Sequence, residues 1–118
     1  MHEIKLKRIY EHPESSDGFR ILVDKLWPRG MKKEAAAVDL WLKDIAPSNE
    51  LRSWFNHESA KWEEFEKRYR KELGDKEEPL HAIITKAQHH TVTLLYSARD
   101  EQHNNAVALL NFIKERKK

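Results

Sequence analysis

"TVTLLYSARDEQHNNAVALL", residues 91–110, leaves a hydrophobic run and enters a polar cluster that packing seldom requires. Its opening, TVTLLYSA, is rich in β-branched and aromatic side chains and predicts a strand. Ser, Arg, Asp, Glu, Gln, His and two Asn then follow within nine positions. NNAVALLNFIKERK resumes as a helix, with Ala106, Leu110 and Ile113 on one face. Strand, polar turn, helix is the repeating unit of a layered α/β domain. The polar turn either caps the helix or builds a site.

Working outward, EIKLKRIY places Ile4, Leu6 and Ile9 among charges, a half-buried strand. EHPESSDG is a turn or short loop, and FRILVDKLW is a second, more continuously apolar strand that belongs near the centre of a sheet. A parallel crossover usually needs a dozen or more residues, so these two strands either pair antiparallel or are not neighbours. Pro28-Arg29-Gly30 stops the second strand; MKKEAAA favours a short helix. VDLWLKDIA reads as a third strand, with a helix as its competitor.

From Pro47 to His90 the pattern is helical. Ser48 caps NELRSWF and Ser59 caps AKWEEFEKRYRKEL. Trp62, Phe65, Tyr69 and Leu73 make one stripe that Gly74 ends, flanked by the pairs Glu63–Lys67, Glu64–Arg68 and Glu66–Arg70. Pro79 opens a further helix with Leu80, Ile83, Ile84 and Ala87 inward. No repeat, linker or composition break divides residues 1–118. The expectation is a single α/β domain: a mixed, mainly parallel sheet of about four strands flanked by helices, with Trp27, Trp41, Leu94 and Tyr96 near the core.

Composition narrows the function. Of 118 residues, 39% are apolar and 36% charged, which suits a small globular domain with a well-solvated surface. The 22 basic and 20 acidic residues leave a net charge of +2, too balanced for a protein that works by neutralising nucleic-acid phosphates. The basic tail KERKK suits the negative end of a helix dipole. Without cysteine there is no disulfide, thiolate metal site or cysteine nucleophile. MHEIKLKRIY lacks the apolar core of a signal peptide, and no run reaches the roughly 20 apolar residues of a membrane span, so the cytoplasm is the expected location.

If the second, third and fourth strands are parallel, the loops WPRG, KDIAPS and SARDEQHN share one edge of the sheet, where open α/β sheets bind ligands. Arg29, between Pro28 and Gly30, and Arg99, just after a core strand, are suited to clamp a carboxylate or phosphate. Ser97, Asp100 and Asn104 complete the expected ligand-binding set. Asp100 also suits a helix cap, and with Glu101 it would repel an anion from the helix start, leaving the arginines to hold one. His103 is placed for proton transfer. Asp24 lies among apolar neighbours and needs a partner: Arg29, Arg99 or a backbone amide near the strand end. It is either a structural ion pair or a second catalytic group.

Other chemistries find no support. No glycine-rich fingerprint follows a strand, so neither a dinucleotide nor a P-loop phosphate site is expected, and no cofactor is implied. His57 begins no HExxH motif because position 61 is lysine, and the seven histidines make no convincing metal site. Ser97 cannot stand in for a thiolate without an activating base. The favoured expectation is therefore an enzyme or binding protein for a small anionic ligand. The alternative is a protein- or nucleic-acid-interaction module using the Trp54–Trp62 surface and the basic tail, though aromatic residues at that density more often pack a core. The oligomeric state is not encoded legibly.

GFRILVDKLWPRG, LWLKDIAPS, LRSWFNHESAKWEEFEKRYRKEL and LLYSARDEQHNNAVAL, in that order, resemble the successive motifs of the YeaO-like proteins, a bacterial branch of domain-of-unknown-function family 488. The resemblance covers nearly the whole chain and implies a small α/β fold, without an activity. It marks Asp24, Trp27, Pro28, Arg29 and Gly30; Lys43, Pro47 and Ser48; Trp54, Phe55, His57, Trp62, Phe65 and Tyr69; and Tyr96, Ala98, Arg99, Asp100, His103 and Asn104. Asn105 stands where relatives often carry histidine. A methyltransferase label carried by some relatives finds no glycine-rich S-adenosylmethionine loop in this sequence.

Overall fold

Val92–Tyr96 (β4) is buried along its whole length because it lies between two other strands in the computed structural model, which describes residues 2–116. Ile4–Arg8 (β1) pairs with it on one side, Ile4 opposite Val92 and Arg8 opposite Tyr96. Phe19–Leu22 (β2) pairs on the other, Phe19 opposite Val92 and Leu22 opposite Leu95. Leu40–Trp41 (β3) adds to the far side of β2, giving the order β1-β4-β2-β3. Every pairing is parallel, so the sheet holds no antiparallel strand. The first two strands are not neighbours, the second of the two arrangements their short connection allowed.

The period of two along each strand divides the core. Ile21, Val23, Val92, Leu94 and Tyr96 face one side. They pack against helices Asn49–Phe55 (α2), Trp62–Leu73 (α3), Glu77–His89 (α4) and Asn105–Arg116 (α5). Leu22 and Leu95 face the other side, under Ile9, the short helix Lys33–Ala36 (α1), Trp27 and Trp41. Trp27 and Trp41 are half-buried, meeting edge to face at 5.4 Å.

Several boundaries differ from those expected. The second strand ends at Leu22 rather than running to Trp27. Val23 still donates to the Leu95 carbonyl, but the Asp24 carboxylate then ties the chain to other groups and turns it off the sheet. VDLWLKDIA yields a two-residue strand and then a tight turn over Lys43–Ile45. Ser48 caps α2, its hydroxyl accepting from the Leu51 amide, but Ser59 does not cap α3; Ser59–Lys61 is a separate tight turn before it. Of the three anticipated helix-surface pairs only Glu64–Arg68 forms, while Arg70 crosses to Glu115 and Glu66 accepts from Asn111. In the basic tail, Arg116 pairs with Glu77 at 3.3 Å; Lys117 and Lys118 lie outside the described residues.

Around the entry into β2 sits a buried ion cluster. Asp17, 2% exposed, bonds Arg20 at 2.6 Å and Lys7 at 3.0 Å, and accepts from the Glu14 amide. Arg20 also reaches the carbonyls of Ala36 and Ala37, and Thr93 donates to the Asp17 carbonyl. Burial works against the Asp17 charge, but the Glu14 amide, Lys7 and Arg20 outweigh it and hold the carboxyl below its ordinary value. Gly18 follows with φ +67, and a Cβ there would stand 2.2 Å from the Thr91 carbonyl oxygen, so no other residue fits this entry into β2.

Candidate functional site

Because all four strands are parallel, their carboxyl ends lie along one edge, and a cleft of about 1110 Å³ opens there. Each expected site residue lines it: Asp24, Arg29, Ser97, Arg99, Asp100, His103 and Asn104. They do so in two different ways. Some build the walls, and others are left facing the opening.

Asp24 is a builder. Its Oδ2 accepts from the Ser97 amide at 2.9 Å and the Ser97 hydroxyl at 2.8 Å, and its Oδ1 accepts from the Asn105 side chain at 3.1 Å. Its backbone carbonyl accepts from the Trp41 indole at 2.8 Å. One residue thus ties the ends of β2, β3 and β4 to the start of α5. Neither Arg29 nor Arg99 is its partner; the backbone amide of Ser97 is. Both Asp24 oxygens already accept hydrogen bonds, and the Ser97 amide and hydroxyl protons are both given to Asp24. Both residues line the cleft as expected, and both also brace its wall.

The turn that follows settles how the last helix begins. Asp100 Oδ1 accepts from the amides of Gln102 and His103, but α5 starts only at Asn105. Asn104 is the cap: its side-chain oxygen accepts from the Val107 amide at 2.9 Å, its carbonyl accepts the first helical bond from Ala108, and its own amide group donates to the Asp100 carbonyl. Asp100 closes the turn before the helix instead. Asn104 is 2% exposed, and its side chain is engaged in this cap. Asp100 also bonds His103 Nδ1 at 3.0 Å. The Gln102 amide, then His103, keep the exposed Asp100 carboxyl below its ordinary value. Nε2 has no hydrogen-bond partner among the described residues, and the ring meets that of Trp62 edge to face at 5.2 Å.

Arg29 and Arg99 are exposed, and neither guanidinium has a hydrogen bond or ion pair among the described residues. The turn carrying Arg29 forms as Pro28 and Gly30 suggest: Met31 donates to the Pro28 carbonyl, and Gly30 has φ +75. The Tyr10 hydroxyl holds the Arg29 carbonyl at 2.9 Å. Three further cations line the cleft, Arg8, Lys25 and Arg52, against only two carboxylates, Asp24 and Asp100. Arg8 bonds the carbonyls of Ser97 and Ala98 and lies over the Tyr10 ring at 5.0 Å. Arg8 and Tyr10 escape a sequence reading that leaves the direction of β1 open. Only a parallel β1 brings its last residue to this edge.

The remaining wall comes from the end of α2. Phe55 and Phe65 stack at 4.4 Å at the cleft's floor. The next two residues, Asn56 and His57, both have positive φ, 45 and 56, and Glu58 donates back to the Phe55 carbonyl at 2.9 Å. Left-handed backbone costs an ordinary side chain roughly 1–2 kcal/mol per residue, and two in succession are uncommon. The turn leaves His57 exposed on the cleft wall. Trp54 and Trp62, by contrast, are half-buried and occupied: Arg68 and Lys61 lie over Trp54 at 4.1 and 5.0 Å, and Trp62 packs on Phe55, Phe65 and His103. Among the described residues no group of three or more His, Asp or Glu gathers to hold a metal ion, and no helix is long and apolar enough to cross a membrane.

A parallel sheet covered unevenly by helices, with a cation-rich cleft where its strands end, defines a small α/β domain of the open-sheet kind. The chain belongs to the DUF488 family: the model of the inactive DUF488-N3 subclade matches residues 3–118. It is 42% identical over 111 residues to the Escherichia coli protein YeaO, spanning 94% of this chain and 96% of that one. Proteins of Mycobacterium bovis and Mycobacterium tuberculosis are each 44% identical over 72 residues, 61% of both chains. No solved structure matches significantly.

Proposed function

We propose that the cleft binds a small anionic ligand and holds it without transforming it. The observation that carries this reading is the pair of uncommitted guanidiniums, Arg29 and Arg99, in a cleft whose carboxylates are already engaged. Unpaired arginines recognise carboxylate or phosphate through two parallel hydrogen bonds, and inside a recess they are less screened than on open surface. Two things favour binding over catalysis. Asp24 is occupied by its three donors, and the matching subclade is described as inactive. The interaction-module alternative draws less support, since Trp54 and Trp62 are covered by the protein's own cations and rings.

Calorimetric titration with phosphate, pyrophosphate and citrate tests this. Arg29→Ala and Arg99→Ala should each weaken binding about tenfold or more, the size of a lost charge-assisted hydrogen bond. Both variants should melt close to the parent, within roughly 0.5 kcal/mol, because neither side chain has a partner to lose among the described residues. Unchanged affinity in both variants would remove the arginines from the site.

A further inference from the structure

Size and wall chemistry say more about the ligand than its charge. Small-molecule sites commonly span about 300–1,000 Å³. A cleft of about 1110 Å³ is therefore far larger than an inorganic anion needs. One part of its lining is cationic. Another is aromatic, with the buried, stacked Phe55 and Phe65 in the wall and the exposed His57 ring beside Phe55. His57 has no hydrogen-bond partner among the described residues, yet the turn holds it and Asn56 in left-handed backbone. Strained backbone at a cleft points to a side chain whose placement matters. A flat ring facing a ligand, without a polar partner of its own, is a stacking surface.

We infer that the ligand carries a planar ring joined to its negative group, the ring resting on His57 beside Phe55 while the charge meets Arg29 and Arg99. This rests on the anion reading above. Nucleotides and aromatic carboxylates share that chemistry. His103 also lines the cleft, and with its Nδ1 taken by Asp100 its Nε2 is left to bond polar atoms on the ring or its linker.

Titrations of the full chain with adenosine 5′-monophosphate, 4-hydroxybenzoate and inorganic phosphate distinguish the sources. At least one ring-bearing anion should bind about tenfold more tightly than phosphate. His57→Gly is the diagnostic variant, since glycine adopts the left-handed turn freely and removes only the ring. It should cost the ring-bearing anion about tenfold, the scale of a lost stacking contact, and leave phosphate unchanged; Arg29→Ala should weaken both. If phosphate binds as tightly as both ring-bearing anions and still depends on Arg29, the ring inference fails and the anion reading stands. If no probe binds in an Arg29-dependent way, both fail. Tighter binding of a ringed anion that His57→Gly does not touch would also overturn the inference.

Discussion

Asp24 is one carboxylate doing the work of a joint. Its two oxygens receive the Ser97 amide, the Ser97 hydroxyl and the Asn105 side chain, donors from the end of β4 and the start of α5. Asp24→Ala would leave the half-buried Ser97 amide and the Asn105 amide group without their acceptor. The expected loss is about 2–3 kcal/mol, read from the urea midpoint at constant slope. Asp24→Asn should not restore it, because the new NH₂ would face the Asn105 NH₂, donor against donor. The sequence identifies Asp24 as a carboxylate that needs a partner, and a backbone amide near the strand end is among the partners it suggests. It cannot exclude the arginines, because that depends on where loops distant along the chain come to rest. Arg8 is hidden for a related reason: its place in the site follows from strand direction, which alternation does not encode.

At the scale of elements, Asp100 and Asn104 divide a task that looks like one from the sequence. Asp100 closes a turn; Asn104 caps α5. Asn104→Ala should therefore destabilise the protein by about 1 kcal/mol or somewhat more, and Asp100→Ala by less, in parallel thermal melts. A larger loss from Asp100→Ala would return the cap to it. Most elements are legible: the four strands, the Ser48 cap, the stripe on α3 and the inward face of α4 all follow from periodicity. Boundaries are less so. β2 stops early because a side-chain bond outcompetes further pairing, and β3 shrinks because only Leu40 and Trp41 reach the β2 edge. Ser59 has the right residue type for a cap but falls inside a tight turn, a choice made by the Glu58–Lys61 contacts. The consecutive left-handed pair Asn56-His57 leaves no trace a glycine would have left.

Across the whole molecule two regions of the sheet have separate duties. The carboxyl end holds the cleft; the entry into β2 holds Asp17 and Arg20, joined by the Lys7 side chain from β1, a cluster whose bonds reach no cleft residue among the described residues. A carboxyl held below its unfolded value adds stability above that unfolded value, and the addition disappears as pH falls through the folded one. For Asp17 the loss falls below the ordinary aspartate value of 3.8. Denaturation followed from neutral pH downward should therefore show a steep acid limb that Asp17→Asn flattens, at the expense of stability near neutrality. An acid limb identical in the variant would assign the decline to other carboxylates. The strand order has one more consequence. β4 pairs with both β1 and β2, yet it is the last strand to be synthesised. While the ribosome is still reading the first 90 codons, β1 and β2 have no strand between them and the main core lacks its central wall. Translation thus delivers an open chain that closes only once residues 92–96 arrive, so the nascent protein depends on late, long-range contacts and has no stable early half to stand on.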